Sequence, residues 1–223
     1  MTTRLGLASA AIRDADARLE KEFTTVANFL NEFDEFRPAR ISRASYGTKQ
    51  YFENLAASFV RGRQPIAPEP PATVPDPLVS VIMHEYFRLP RADLERAKQE
   101  HKLSMASEGI VGVLLERYIA SEIEPLGWVW CSGHVVKSID FIKRRGVGWQ
   151  MLQVKNRDNS ENSSSAAIRR GTSIEKWYRT KSRTGATMWA HFPDSSCRRR
   201  LSEHGFHEFT ARYLASLPKR VRT

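Results

Sequence analysis

Twelve residues separate Asp140 from Gln153-Val154-Lys155. A carboxylate oxygen, an amide oxygen and a backbone carbonyl are hard ligands of the kind that bind Mg²⁺. A lysine beside them can hold a phosphate oxygen or orient a water. Together these groups are the equipment for metal-assisted hydrolysis of a phosphodiester. A lone aspartate or lysine on a strand is ordinarily a surface residue. The chemistry therefore depends on whether the fold gathers them.

The local pattern gathers them. Arg145-Gly146-Val147-Gly148 lies between two strand patterns, KSIDFIKR and WQMLQVK. Glycine at the first central position suits a two-residue type II′ hairpin turn, and a four-residue loop would share its centre. With that centre between Gly146 and Val147, Asp140 falls opposite Gln153. Directly opposed residues have Cβ atoms about 4.5–5.5 Å apart. Side chains alternate along a strand, so Gln153 and Lys155 share a face. Ile139, Phe141, Leu152 and Val154 are expected to turn the other way, into a core.

Stepping outward, residues 9–36 show apolar positions seven apart at Ile12, Leu19, Val26 and Phe33, with Phe23 and Leu30 between them. This predicts one helix, either paired across a dimer or packed on the protein's own core. Arg37-Pro38 ends it. A second helix is expected from Thr48, as N-cap, to Gly62. Six of the eleven prolines then lie between Pro65 and Pro77, which reads as an extended connector. It separates a helical region, 1–64, from the remainder, 78–223. LVSVIMHEYF (78–87) is a short apolar element of undecided type. Pro90 opens a helix with Leu94 and Ala97, and a further helix runs from about Ser107, as N-cap, to Glu124. Pro125 and Gly127 stop it. WVWCSGHVV begins the strands. After them, SIEKWYR (173–179) and EHGFHEFTARYLASL (203–217) read as helices. The order predicts an α/β or α+β fold, a central mixed sheet flanked by helices with a helical N-terminal extension.

Composition agrees with such a chemistry. The chain has 223 residues, 41% of them hydrophobic, and a formal net charge of +10. An excess of lysine and arginine favours an anionic partner, and nucleic acid is the commonest. Two cysteines, Cys131 and Cys197, argue against a disulfide scaffold. No apolar run of eighteen residues is present, and MTTRLGLASAAIRDADARLE meets acidic residues too early for a secretory signal. A cytoplasmic protein is expected. For the same reason the Asn162-Ser163-Ser164 sequon carries no weight.

Ser138-Ile139-Asp140, a gap of twelve and Gln153-Val154-Lys155 resemble the PD-(D/E)xK nuclease superfamily. Its core is a helix, a strand carrying aspartate, then a strand carrying acid-x-lysine. Two departures stand out. Ile139 replaces the usual proline, and Gln153 replaces the usual acid, as in Mrr-like members with Gln-x-Lys. The amide still offers an oxygen, but the site then holds one negative charge fewer. That puts weight on the preceding helix. There Gly112-Val113-Leu114-Leu115-Glu116, followed eleven residues later by Gly127, is similar to archaeal Holliday junction resolvases. The resemblance makes Glu116 a metal-site carboxylate, with Glu108 two turns earlier as an outside candidate.

The resemblance narrows further. QVKNRDNSENSSS, IRRGTSIEKWYR, Trp189 and Phe192-Pro193 look like the SinI-type group of type II restriction endonucleases, over roughly residues 78–195. It implies a Mg²⁺-dependent homodimer that cuts double-stranded DNA at a short near-palindrome, for that group GGWCC with W being A or T. A DNA methyltransferase would be its functional partner. The catalytic set is then Asp140, Gln153, Lys155 and Glu116, with the Val154 carbonyl as a further metal ligand.

The polar run after Lys155 is the expected DNA-reading segment. Arginine reads guanine and asparagine reads adenine, whereas hydroxyls more often hold phosphate. The candidates are Asn156, Arg157, Asn159, Asn162, Ser163, Ser164, Arg169, Arg170, Lys176 and Arg183. Arg179 and Lys181 join the candidate phosphate contacts, and Arg198-Arg199-Arg200 and Lys219-Arg220-Val221-Arg222 suit steering or a plain basic tail. Cys131 with His134, and His191, Cys197, His204 and His207, match no zinc spacing and read as structural or surface residues. A structure- or modification-dependent repair or recombination nuclease, or a DNA-binding module whose Gln153 marks a lost activity, are the competing readings.

Overall fold

The sheet and the helices on its two faces follow from where the chain places its large apolar side chains. The computed structural model describes residues 3–39, 41, 45–159 and 173–218. By packing, these fall into two units, Met1–Pro65 with Leu115–Thr223, and Ile66–Leu114.

In the first unit, α1 (Arg4–Asp16) and α2 (Glu20–Glu32) replace the single expected helix. The break has a local cause. Asp16 leaves helical geometry and its carboxylate accepts the Arg18 N–H, opening a 3₁₀ turn over Ala17–Leu19. Aspartate competes with the helix for backbone donors in this way. The sevenfold spacing still serves one core: Ile12, Phe23, Val26 and Leu30 are buried together with Ile142 and Met151 of the sheet. Helix α3 (Lys49–Arg63) begins at Thr48, whose hydroxyl accepts the Tyr51 N–H at 3.2 Å. Its Phe52, Leu55 and Phe59 are fully enclosed. Truncating such a residue, as in Phe59→Ala, is expected to destabilise by about 3–5 kcal/mol.

The sheet has the order β1-β2-β3-β4, with β1 (Trp128–Trp130), β2 (Phe141–Arg145) and β3 (Gly148–Arg157) antiparallel and β4 (Ile174–Thr180) parallel to β3. The mixed sheet flanked by helices is the expected fold class. The hairpin register is also the expected one: Phe141 pairs with Leu152 and Arg145 with Gly148. Gly146 has φ +55°, while Val147 stays at negative φ, as a type II′ turn requires.

Two strand expectations needed correction. WVWCSGHVV and KSIDFIKR are strand only over β1 and β2. Between them the chain makes a turn at Ser132–His134 and adopts positive φ at Gly133, His134 and Ser138. Because Ser138 breaks the alternation, Ile139 joins the helix-covered core that also holds Ile142, instead of the opposite face. Residues 173–179 are a strand and not a helix. Burial at Ile174, Trp177 and Thr180 mimics a helical spacing of three, but β-branched and aromatic residues covered on both faces fit an outer strand of a layered sheet. On the face away from α1–α3, Trp177 packs on Trp189 and Phe192, with ring centroids 5.0 and 5.2 Å apart. Phe206 of α6 (Glu203–Ser216) is buried in the same layer.

The turn before Asp140 is pressed onto α3. Ser132 donates its hydroxyl to the Phe59 carbonyl at 2.8 Å. A Cβ on Gly62 would lie 2.1 Å from the Gly133 nitrogen, and one on Gly133 would lie 2.0 Å from the Ser58 carbonyl oxygen. Neither glycine can become alanine without a backbone shift.

In the unit Ile66–Leu114, the undecided apolar stretch is helix α4 (Pro77–Glu85), started by Asp76, whose carboxylate accepts the Leu78 N–H at 2.9 Å. The two helices expected after Pro90 are one, α5 (Leu94–Ile123). Ser107 is interior and not a cap; its hydroxyl donates back to the Leu103 carbonyl at 2.8 Å. The last turns of α5, from Leu115, belong to the first unit. Gly127, at φ +87°, closes the helix end as expected. Among the described residues no helix is long and apolar enough to cross a membrane.

Candidate active site

The face of the sheet that buries Ile142, Met151 and Ile174 becomes polar one step further along. Residue alternation puts Asp140 beyond Ile142, Gln153 and Lys155 beyond Met151, and Lys176 beyond Ile174. Gln153 is level with Lys176 across the parallel pair, and Lys155 with Tyr178. The Asp140 N–H donates to the Leu152 carbonyl at 2.9 Å, and its carboxylate accepts the Val154 N–H at 2.7 Å. The aspartate thus takes over where the β2–β3 ladder ends. It is fixed against Gln153-Val154-Lys155 by its own side chain.

Glu116, on α5, reaches the same place. Its carboxylate accepts the Trp130 indole N–H at 3.0 Å. Burial pushes Glu116 up to about 8, and the neighbouring charge of Asp140 adds to it; the Trp130 hydrogen bond, Lys155 and Arg117 act in the opposite direction. Burial likewise raises Asp140, opposed by the Val154 N–H, Lys155 and His134. Two carboxyl groups in one poorly solvated spot resist double ionisation. Such a pair favours any cation that enters.

Gln153 adds a neutral oxygen donor to the two carboxyl groups. It is 2% exposed, and its Oε1 has no hydrogen-bond partner among the described residues. An unpaired buried amide oxygen is unfavourable by about 1–3 kcal/mol. Asp140 and Glu116 carboxylates, the Gln153 amide oxygen and the Val154 carbonyl are a hard donor set, and the unpaired oxygen fits a divalent cation. Among the described residues no trio of His, Cys, Asp or Glu forms a metal group by itself, so this donor set depends on its amide and carbonyl.

The segment after Lys155 is braced as well as exposed. The Asn156 side-chain oxygen accepts the Arg179 Nε–H at 2.9 Å, and Thr180 donates to the Asn156 carbonyl at 3.0 Å. Arg179 also pairs with Glu203 of α6, which accepts the Trp189 indole N–H at 2.8 Å. Arg179 therefore spans Asn156 and Glu203, a role the sequence did not signal. The Asp158 carboxylate accepts the Ser182 N–H at 2.9 Å. Arg157, Asn159, Lys181 and Arg183 are exposed. Asn162, Ser163, Ser164, Arg169 and Arg170 lie outside the described residues, as does the C-terminal basic group 219–222. Glu108 is exposed on α5 within the Ile66–Leu114 unit. Cys131 and Cys197 are buried thiols, while His204 and His207 pair with Glu208 and Glu203.

Trp130 and His134 were missed as site residues. Trp130 reads in sequence as core, and only the fold shows its indole reaching Glu116. His134 stands six residues before Asp140 in the turn between β1 and β2, a position that no spacing rule singles out.

Asp140 directly ahead of one sheet strand, a second strand bearing Gln-x-Lys and a helix bearing Glu116, within a mixed sheet flanked by helices, define a restriction-endonuclease-like enzyme. The model of the SinI restriction endonuclease family matches residues 6–216. The chain is similar to the type II restriction enzyme Eco47I of Escherichia coli, 44% identical over 216 residues that cover 95% of this chain and 94% of that one. It is equally similar to the type II restriction enzyme SinI of Salmonella infantis, 44% identical over 217 residues, with the same coverage. The chain belongs to the SinI restriction endonuclease family.

Proposed function

We propose that this enzyme hydrolyses both strands of duplex DNA at a short near-palindromic site, GGWCC, as a Mg²⁺-dependent homodimer in the cytoplasm, alongside a DNA methyltransferase that protects the same site. The single observation that supports the chemistry most is the buried Gln153 Oε1, without a partner among the described residues, beside two carboxyl groups of raised pKa. The family relatives support the substrate.

In this reading Asp140, Gln153, the Val154 carbonyl and Glu116 hold Mg²⁺. A divalent ion held there would supply charge stabilisation for a displacement at phosphorus. Val154 N–H keeps the Asp140 carboxylate aimed at the site. Lys155 orients the attacking water and offsets negative charge that develops on the phosphate. The polar segment from Asn156 onward, with Arg157, Asn159, Asn162, Ser163, Ser164, Arg169, Arg170, Lys176 and Arg183 as its candidates, provides DNA contact. Arg179 acts through Asn156, holding its amide.

Cleavage of unmethylated plasmid in Mg²⁺, followed by sequencing of the ends, tests the proposal. Discrete fragments ending within GGWCC are expected. Smearing, cutting restricted to branched or modified DNA, or normal cutting by Lys155→Ala would each overturn it.

A further inference from the structure

Helix α4 reads PLVSVIMHE, the most apolar of the described helices, and none of its residues is buried. A helix that is apolar on all sides is normally enclosed. Val79 and Met83 line an apolar cavity of about 470 Å³ with Pro71, Ala97 and Met105 of the same unit. On the other side, Leu78, Val81 and Ile82 are 64, 53 and 53% exposed. Tyr86 and Phe87 follow directly, 78 and 70% exposed, edge to face with ring centroids 5.0 Å apart. Outside residues 66–114, the large apolar side chains left exposed among the described residues are only Leu5, Val147 and Leu214. The apolar exposure is therefore concentrated in one 49-residue unit, 66 to 114.

We infer that the outer face of α4, with Tyr86 and Phe87, is the surface through which two copies of this chain associate. Two arguments select a second copy. The first is area. At the exposures above, Leu78, Val81, Ile82, Tyr86 and Phe87 present roughly 700 Å², close to about 800 Å² per partner in a standard specific interface. Scattered apolar residues need no partner, but these five lie along one helix face and the two residues directly after it, and a patch of this size does. The second is symmetry, and it rests on the cleavage reading above. The strands of a duplex are antiparallel and related by two-fold axes, whereas each chain offers one Asp140–Gln153–Lys155 cluster. Cutting both strands takes two clusters about a two-fold axis. An interface made by the same patch on both chains generates that axis.

Aromatic residues at the centre of such a patch carry most of its binding energy. A charge placed there is left desolvated and unpaired in the dimer, yet sits in water in the monomer. The test is sedimentation of the full chain without DNA or metal, for wild type and for Ile82→Glu/Phe87→Glu. Wild type is expected at twice the 25.5 kDa chain mass at micromolar concentration, and the double variant at 25.5 kDa with an unchanged far-ultraviolet circular dichroism spectrum. Should the double variant lose that spectrum, Val81→Asp, a single change at an exposed position, takes its place with the same expected monomer. On plasmid with Mg²⁺, the monomeric variant is expected to give nicked circles, with the linear-to-nicked ratio falling about tenfold or more. A monomeric wild type, or a charged variant that stays dimeric, would overturn the inference. Because mass is read without cleavage, a protein that dimerises through α4 but never cuts GGWCC would refute the functional reading and leave the interface standing.

Discussion

Asp194 and Asp140 are both held at the sheet, and their surroundings are opposites. Asp194 is 4% exposed and saturated with donors. Its Oδ2 accepts from Trp128 Nε1 at 3.0 Å, Lys143 Nζ at 2.9 Å and Arg145 Nη2 at 3.3 Å. Its Oδ1 accepts from the Ser196 N–H at 3.0 Å and the Ser196 hydroxyl at 2.6 Å. Burial would raise this carboxyl, but hydrogen bonds from Ser196, Lys143 and Trp128 outweigh it and hold the group well below the usual carboxylate range. Around Asp140 the balance is reversed: a second carboxyl lies close, the neighbouring amide oxygen has no donor among the described residues, and both acids are pushed up. A buried acid surrounded by donors ties one element to another. Buried acids short of donors mark a place kept for something positive. The first arrangement stabilises the fold, and the second lowers its stability until a ligand arrives.

The contrast can be broken most severely at the second site. Asp140→Asn and Lys155→Ala are each expected to reduce cleavage about a thousandfold or more while leaving site-specific binding in Ca²⁺ intact, measured by plasmid digestion and gel shift. Binding lost in parallel with cleavage would place Asp140 among the fold's supports instead. At the first site the effect falls on stability. Asp194→Asn breaks a buried pair, and a loss of about 3–5 kcal/mol at neutral pH is expected by urea denaturation. The folded-state pKa of Asp194 lies below its unfolded value. Its contribution is therefore present above pH 3.8 and lost as pH falls through the folded value, so the variant and wild type should converge in strong acid.

Glu116 titrates the other way, and Glu116→Gln makes the sign visible. The folded protein keeps a proton on Glu116 between about pH 4.5 and 8 that the unfolded chain has released. Metal-free wild type should lose stability as pH rises across that window, and the glutamine variant should lose less, since Asp140 alone remains raised. Thermal melts are expected to agree at pH 4 and to favour the variant by about 2–4 °C or more at pH 8.5. Parallel curves would remove Glu116 from the pair. The smallest change expected is at Gln153. Gln153→Glu restores a charged ligand and should lower the Mg²⁺ concentration for half-maximal cleavage by roughly tenfold. A rise would mean that the site needs the amide's neutrality.

How much of this was legible in the sequence depended on the range of the interaction concerned. The hairpin was, because one glycine and an alternating pattern fix a register, and that register alone carries Asp140 to Gln153. Glu116 came only by resemblance, since its indole partner and its raised pKa depend on α5 meeting the sheet. The α1–α2 break escaped notice because Asp16 competes locally without disturbing the apolar spacing around it. Strand β4 is disguised in the sequence because Ile174, Trp177 and Thr180 repeat every three residues, a spacing that a strand buried on both faces can share with a helix. The proline-rich stretch Pro65–Pro77 was visible as composition. Composition could not say that α1–α3 would share one buried core with the sheet.

The meeting of Gly62 with Gly133 has a consequence for the order in which the molecule can be made. These residues lie 71 positions apart in the chain. At about 5–20 residues per second, α3 leaves the ribosome several seconds before the turn that must nest against its backbone. The bed is therefore laid first, and Asp140 follows within seven residues of the part that nests. Until that turn seats, its loop has no partner to hold it and the two halves of the site have no common frame. A newly made chain thus passes through an interval in which the residues of α1–α3 have been made and those of the catalytic strand have not.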